Sequence, residues 1–455
     1  MRNVSIVKRM AFLVTVLAVS TVSAWSQQAF SLEDARKYAV QNNHNARLAL
    51  KEYEISKAQY NQALGYGLPQ INGTVGYNFN VQPQVFLLPD FQNPGSGQFV
   101  QLEATPPTTM NVQLSASMTL LDGSYILGVM AGKTFKELSL EQKAKTDLEV
   151  KEGVTKAYYQ VLILRQNISV LEGALANLER VLTETQAYVK EGFRENLDGE
   201  QVKLNVDITR NTLIKARSNA EIAERGLKLQ MGFPVDQAIS LTDDFNTLRA
   251  ELADEFILSS GNGTPDLSNN IDMRILDKLY TVNRQNKNLE MSKSFPSLRA
   301  FASYSYNGFS NDKRQPVLFG NNNTFYTGGA LVGFSLNVPI FSSLSRYSSY
   351  KKALYEWQKA GIRKEMAGEG LKVQYENARM NYVNTWQTLQ NDKANLALAD
   401  KIRTTNRVKF QEGLIGSFEL TNAENQYLQA LGAYYNTLFS LINYKLEFDR
   451  ITNRL

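Results

Sequence analysis

Ile71-Asn72-Gly73-Thr74-Val75-Gly76-Tyr77-Asn78-Phe79-Asn80-Val81 alternates along its whole length: Ile, Gly, Val, Tyr, Phe and Val at the odd positions, Asn, Thr, Gly, Asn and Asn at the even ones. A period of two sends the sets to opposite faces of a strand, one apolar and one polar. Met110 to Leu120 alternates in the same way, with Met110, Val112, Leu114, Ala116, Met118 and Leu120 set against Asn111, Gln113, Ser115, Ser117 and Thr119. Two later stretches follow, Leu298, Ala300, Ala302, Tyr304, Tyr306 and Val332, Phe334, Leu336, Val338, Ile340, although Phe301 and Leu331 fall on the wrong face. Each stretch matches the roughly 9 to 11 residues that a tilted strand needs to cross a membrane. A soluble sandwich with half-buried strands is the alternative on the strands alone. Polar loops rich in Pro, Gly and Asn, about 82–109 and 309–328, join each pair and are too long for hairpin turns; long loops on one side suit an extracellular face.

Moving outward, the strand pairs belong to a duplication. Leu68-Pro69 to Tyr77 aligns with Phe295-Pro296 to Tyr304, both Pro and Tyr matching 227 positions apart. Glu191-Gly192 aligns with Glu412-Gly413, and Asp198 with Glu419, 221 positions apart. Two anchors in one order at nearly equal offsets indicate two repeats. We expect a first helix-strand-strand-helix repeat over 25–265, with an equatorial segment at 232–265, and a second over 266–455.

Between Ser124 and Lys190 there is no proline, and Val150, Val154, Ala157, Val161, Leu164, Ile168, Leu171, Leu175, Leu178 and Leu182 recur at alternating steps of four and three. That heptad predicts a helix of about 100 Å wound around neighbours. After the Gly192 turn, Val202, Val206, Thr209, Leu213, Ala216, Ala220, Ala223 and Leu227 carry the spacing back antiparallel. The plan recurs over 343–407, the turn at Gly413 to Ser417, and 419–450. Heptads by themselves fit an ordinary coiled coil; the flanking strands set this chain apart.

Composition removes most chemistry. The chain has 455 residues, no cysteine and one histidine, His44, which excludes disulfides, thiolate nucleophiles and thiolate metal sites. His44 lies in Gln41-Asn42-Asn43-His44 and reads as a solvated helix residue. No phosphate loop, metal spacing or compact acidic group suggests an enzyme, and no catalytic, cofactor or metal residue is assigned. Arg2, Lys8 and Arg9, then an apolar run from Met10 to Val19 and small residues up to Ala24, read as a cleavable export signal over 1–24. Without those three cations, 46 basic residues face 44 acidic ones, and no basic run points to nucleic acid.

Four strands cannot close a barrel, and an open edge in lipid leaves backbone groups unsatisfied. Several chains must therefore pool their strands. Here the order of features resembles the TolC-like outer-membrane efflux family, from Ser31-Leu32-Glu33-Asp34-Ala35 to the last helix, through Pro69, Pro296, Val338-Pro339-Ile340-Phe341 with its counterpart Thr119-Leu120-Leu121-Asp122-Gly123, and the Gly-bearing turns. The resemblance implies an α+β membrane protein: a homotrimer with a twelve-stranded β-barrel, four strands per chain, continuous with an antiparallel α-helical barrel in the periplasm. It also implies a passive duct working with a periplasmic adaptor (membrane fusion protein) and an inner-membrane pump of the RND or ABC type, held in outer-membrane lipid and needing no cofactor. A duct for type I protein secretion and a periplasmic coiled-coil scaffold are the alternatives.

In such proteins the two helical turns form the periplasmic entrance. That implies adaptor contact at Gly192, Phe193, Gly413, Leu414, Gly416 and Ser417, and a candidate gate at Asp198, Phe410, Ile415, Glu419 and Asn422. The family's acidic pair after the second turn is Glu419 but then Asn422, and its Tyr and Arg positions are Phe410 and Ile415 here, so its polar gate is not reproduced. The residues also allow plain helix caps, with Asn196 or Ser417 as N-cap.

Overall fold

The computed structural model describes residues 28–454 apart from 83, 93, 94, 96, 251, 255, 256, 259–266, 312–316 and 318–323, and leaves aside the side chains of Thr247 and Leu248. The expected export signal and the Pro265 end of the expected equatorial segment lie outside the described residues. The described helices are α1 (Leu32–Asn42), α2 (His44–Gly65), α3 (Gly123–Lys190), α4 (Asn196–Met231), α5 (Phe245–Ala250), α6 (Ile271–Ser292), α7 (Ser345–Gln411) and α8 (Ser417–Ile451). The described strands are β1 (Gln28–Phe30), β2 (Gln70–Phe79), β3 (Val85–Pro89), β4 (Phe99–Glu103), β5 (Thr108–Leu121), β6 (Ile239–Leu241), β7 (Ser297–Ser310) and β8 (Thr324–Asn337). Helix, strand pair and two long helices thus occur twice in the same order. The compact units do not follow those repeats: one takes the chain up to Lys51, Glu141–Arg274 and the chain from Glu365, the other Glu52–Leu140 and Ile275–Lys364.

In the first unit the heptads hold. Val154, Val161, Leu171 and Leu178 of α3 are buried, as are Val202, Val206, Leu213 and Leu227 of α4. Tyr158, Leu227, Leu438 and Phe448 share one core. The equatorial segment contributes β6, which pairs in parallel with β1, and α5. Tyr158 fixes β1 by donating its hydroxyl to the Phe30 carbonyl at 3.0 Å, and burial pushes that phenol up.

Helix α4 ends against the break between α1 and α2. Gly232 adopts φ +70°, and Asn43 donates its side-chain amide to the Gln230 carbonyl at 2.6 Å while its Oδ1 accepts the amide N–H of Asn45 at 2.7 Å. A Cβ on Gly232 would lie 2.3 Å from the Asn42 carbonyl oxygen, which is backbone and cannot swing away. Gly232→Ala therefore combines left-handed strain with a backbone clash and is expected to destabilise the fold by about 2–4 kcal/mol. A lower thermal midpoint in circular dichroism checks this; a wild-type midpoint contradicts it.

The second unit holds one four-stranded antiparallel sheet in the order β2-β5-β7-β8. Its register aligns the alternation of all four strands. Ile71, Ala116, Ala302 and Val332 stand side by side, as do Gly73, Leu114, Tyr304 and Ala330. On the other face Asn72, Ser115, Ser303 and Leu331 align, then Thr74, Gln113, Ser305 and Gly329. A slip of one residue would mix the faces, so the pattern fixes the pairing. Asn111 donates its amide to Asn307 at 2.5 Å across the polar face. Tyr77, Phe79, Tyr304 and Tyr306 all lie on the apolar face and are exposed, Tyr306 stacking on Tyr326 with centroids 5.5 Å apart.

The two wrong-face residues have different settings. Leu331 faces the polar side beside Ser303. Phe301 lies opposite Gly333, where a Cβ would come within 2.8 Å of its ring, so a missing side chain makes room for an aromatic one. Strand β8 starts at Thr324, earlier than its alternation predicts, and ends at Asn337. Pro339 has no N–H for a ladder, which leaves Val338 to Phe341 outside the strand. The expected polar loop 82–109 also needs correction. It contains the hairpin β3–β4, an apolar ribbon with Phe86 opposite Leu102 and Leu88 opposite Val100, in line with the preference of such residues for strands.

Among the described residues no helix is long and apolar enough to cross a membrane. The apolar surface that could meet lipid is that of the sheet. Among the described residues strands β2 and β8 each pair with one neighbouring strand, so each leaves an outer edge with no strand beside it.

Candidate functional site

Both helical turns lie in the first unit, and the chain builds them alike. Gly192 (φ +76°) and Gly413 (φ +75°) end α3 and α7 in the left-handed conformation. Phe193 N–H returns to the Tyr188 carbonyl at 2.9 Å, and Leu414 N–H to the Lys409 carbonyl at 2.8 Å. This is the paired-bond termination that glycine favours. Nothing lies within 4 Å of a Cβ at either position, so backbone angle, not space, calls for glycine.

The following helices start without a side-chain cap of their own. The N-caps are Glu195 and Gly416, not Asn196 and Ser417, which are the first helical residues. Gly416 offers no side-chain acceptor, and the first turn supplies one: Asp198 accepts the Ser417 backbone N–H at 3.2 Å. Ser417 donates its hydroxyl to Gln201 at 2.6 Å, and Asn205 its amide to Thr421 at 2.8 Å. A carboxylate at a helix start also suits the helix dipole.

Arg194 is the hub of this junction. Its guanidinium lies 3.9 Å from the centroid of the Phe410 ring, donates to the Phe410 carbonyl, and pairs with Asp198 at 3.5 Å. Phe410, 1 % exposed, packs with Val181, Val202 and Leu420, and Ile415 is half-buried against that group. Of the expected gate residues, Asp198, Phe410 and Ile415 therefore lie in the junction that joins the hairpins α3–α4 and α7–α8. Glu419 and Asn422 are exposed, one helical turn apart on α8. At the tips Phe193 (78 %), Leu414 (72 %) and Phe418 (70 %) are exposed apolar residues, while Gly192, Gly413 and Gly416 keep the backbone bare beside them. Sequence reasoning did not assign Arg194; its signal was a cation four residues before Asp198 on the turn.

Further along the hairpins sits a second cluster. Arg403 stacks over Tyr427 at 3.7 Å, donates to Asp400 at 2.6 Å, and reaches Glu424 at 3.9 Å. Burial pushes the Glu424 carboxyl above its ordinary value of 4.5, against the pull of Arg403 and Arg407 and with the push of Asp400. A raised folded value means that its stabilising contribution is complete below 4.5 and is lost as pH rises through the folded value. Glu424→Gln should abolish that fall. Thermal midpoints across mildly acidic to neutral pH check it, and an unchanged slope contradicts it.

The family model described as "Outer membrane efflux protein" matches residues 36–232. No curated protein matches the sequence significantly. Among solved structures, CusC shares the fold at TM-score 0.71 and 16 % identity, over 92 % of this chain and 91 % of that one. The CmeC outer membrane channel of Campylobacter jejuni gives TM-score 0.70 and 16 % identity, over 92 % and 85 %. The outer membrane protein VceC of Vibrio cholerae gives 0.68 and 13 %, over 92 % and 95 %. At such identities the likeness is one of fold.

Proposed function

We infer, from the premise that this chain is a TolC-like outer-membrane efflux protein, matched to that family over residues 36–232, that it is the channel component of a tripartite efflux system. It forms a passive duct for small molecules from the periplasm through the outer membrane. An inner-membrane pump of the RND or ABC type drives export through a periplasmic adaptor. The observation that carries this reading is the sheet: one apolar face, one polar face, both continuous across four strands, and two unpaired edges. In lipid those edges must be paired, and copies of the same chain have the matching strands. Three copies give twelve strands, a barrel within the known range.

The helices support the same assembly. Tyr355, Ile362, Met366, Val373 and Met380 of α7 are exposed and step by seven, four, seven and seven residues, and Leu398 and Ile402 extend the apolar surface further along the helix. A heptad left exposed among the described residues suits a neighbouring helix from another copy. The exposed tips at Phe193, Leu414 and Phe418 then face the adaptor, with bare glycine backbone allowing close approach. No step of this mechanism needs a cofactor. Heat-modifiable trimers in outer-membrane fractions, with pore conductance after reconstitution, test the proposal; a monomer in the soluble periplasmic fraction contradicts it.

Glu419 is exposed at the start of α8, as Glu191, Glu195 and Glu412 are at the two turns, and in a trimer it supplies a ring of carboxylates. Glu419→Ala is expected to raise single-channel conductance or weaken block by divalent cations, and no change in either removes it as a gate.

A further inference from the structure

Arg299 is the one charged side chain in β2, β5, β7 and β8. It lies beside Thr119 of β5 and Ser335 of β8, on the polar face and near the start of β7. It lines an open cavity of about 540 Å3 together with Tyr66, Gln70, Ser117 and Tyr125. Asp122 is the one carboxylate on that lining, and its Oδ1 already accepts the N–H groups of Ser124 at 2.8 Å and Tyr125 at 3.3 Å. Among the described residues Arg299 has no ion-pair partner within 4.0 Å. Among those residues its charge is therefore left unused by the fold. Gln or Ser, which serve elsewhere on this face, would keep the surface wet equally well.

A guanidinium stays charged at any physiological pH and presents a planar fork that matches a carboxylate, sulfonate or phosphate. Ser117 and Thr119 add hydroxyl donors, and the exposed ring of Tyr66 gives an apolar surface beside them. We propose that Arg299 and this cavity form an anion-binding station on the wall of the duct, preferring solutes that join an acidic group to a flat apolar body. The station rests on the duct reading above, which makes the polar face a wet wall. In a homo-oligomer it becomes a ring of cations, the arrangement that favours anions in a pore.

The test uses the full chain reconstituted in neutral phosphatidylcholine bilayers. Reversal potentials in a potassium chloride gradient and block by naphthalenesulfonate are compared for wild type, Arg299→Gln and Arg299→Lys. The glutamine variant is expected to lower the chloride-to-potassium permeability ratio about threefold and to lose the block, while the lysine variant keeps the ratio with weaker block. A conducting Arg299→Gln channel with wild-type ratio and block overturns the station alone. An Arg299 effect that appears only when anionic lipid is added assigns the arginine to headgroups and overturns it too. A wild-type protein that conducts nothing overturns the duct reading, and the station with it.

Discussion

Arg194→Ala is expected to loosen the junction between the two hairpins and leave the proposed entrance at their tips more open. The substitution removes three contacts at once: the stack on Phe410, the donation to the Phe410 carbonyl, and the pair with Asp198. A partly desolvated cation over an aromatic ring is worth about 1–2 kcal/mol, and 1.4 kcal/mol shifts an equilibrium tenfold. An open-to-closed ratio about tenfold higher should follow in single-channel records. Asp198 then holds the α8 start without its counter-ion, so Arg194→Lys should recover the charge pair but not the stack, giving an intermediate ratio. Unchanged gating in Arg194→Ala would assign the cluster to stability alone, and a lowered thermal midpoint would be its sole effect.

Leu114→Arg and Gln113→Arg, neighbours on β5, should have opposite fates. Leu114 stands between Gly73 and Tyr304 on the apolar face, Gln113 between Thr74 and Ser305 on the polar one. A charged side chain facing lipid costs about 2–4 kcal/mol at mid-membrane, and an oligomer multiplies that cost by its number of copies. Leu114→Arg is therefore expected to prevent assembly in the outer membrane. Gln113→Arg, pointing into water, should assemble and change only ion selectivity. Western blots of membrane fractions separate the two; equal assembly of both variants would mean that neither face meets lipid.

The sheet was legible in the sequence because its faces differ in chemistry and a period of two survives any error at the ends. Its ends were less so. Strand β8 begins within the expected loop, at Thr324-Phe325-Tyr326-Thr327-Gly328-Gly329, where polar and glycine positions hide the alternation. The hairpin β3–β4 was missed because Pro89 and the Gly-rich residues after it outweighed Val85-Phe86-Leu87-Leu88. The long helices followed from their heptads, since Val154 or Leu213 can be buried by neighbouring helices without any special chemistry. The turns themselves were visible through Gly192 and Gly413. What holds them together was not: Arg194, Asp198, Phe410 and Ser417 come from two hairpins more than two hundred residues apart, and only the fold brings them into contact. The exposure of Glu419 and the burial of Glu424, five residues later, likewise depend on how α8 is turned against α7.

The most direct test of the channel reading is the conductance of the purified full-length chain in planar bilayers, with its native mass measured in the same detergent. A trimer that inserts and gives discrete ion-conducting steps is expected. A monomer, or an oligomer that binds bilayers without conducting, would contradict it.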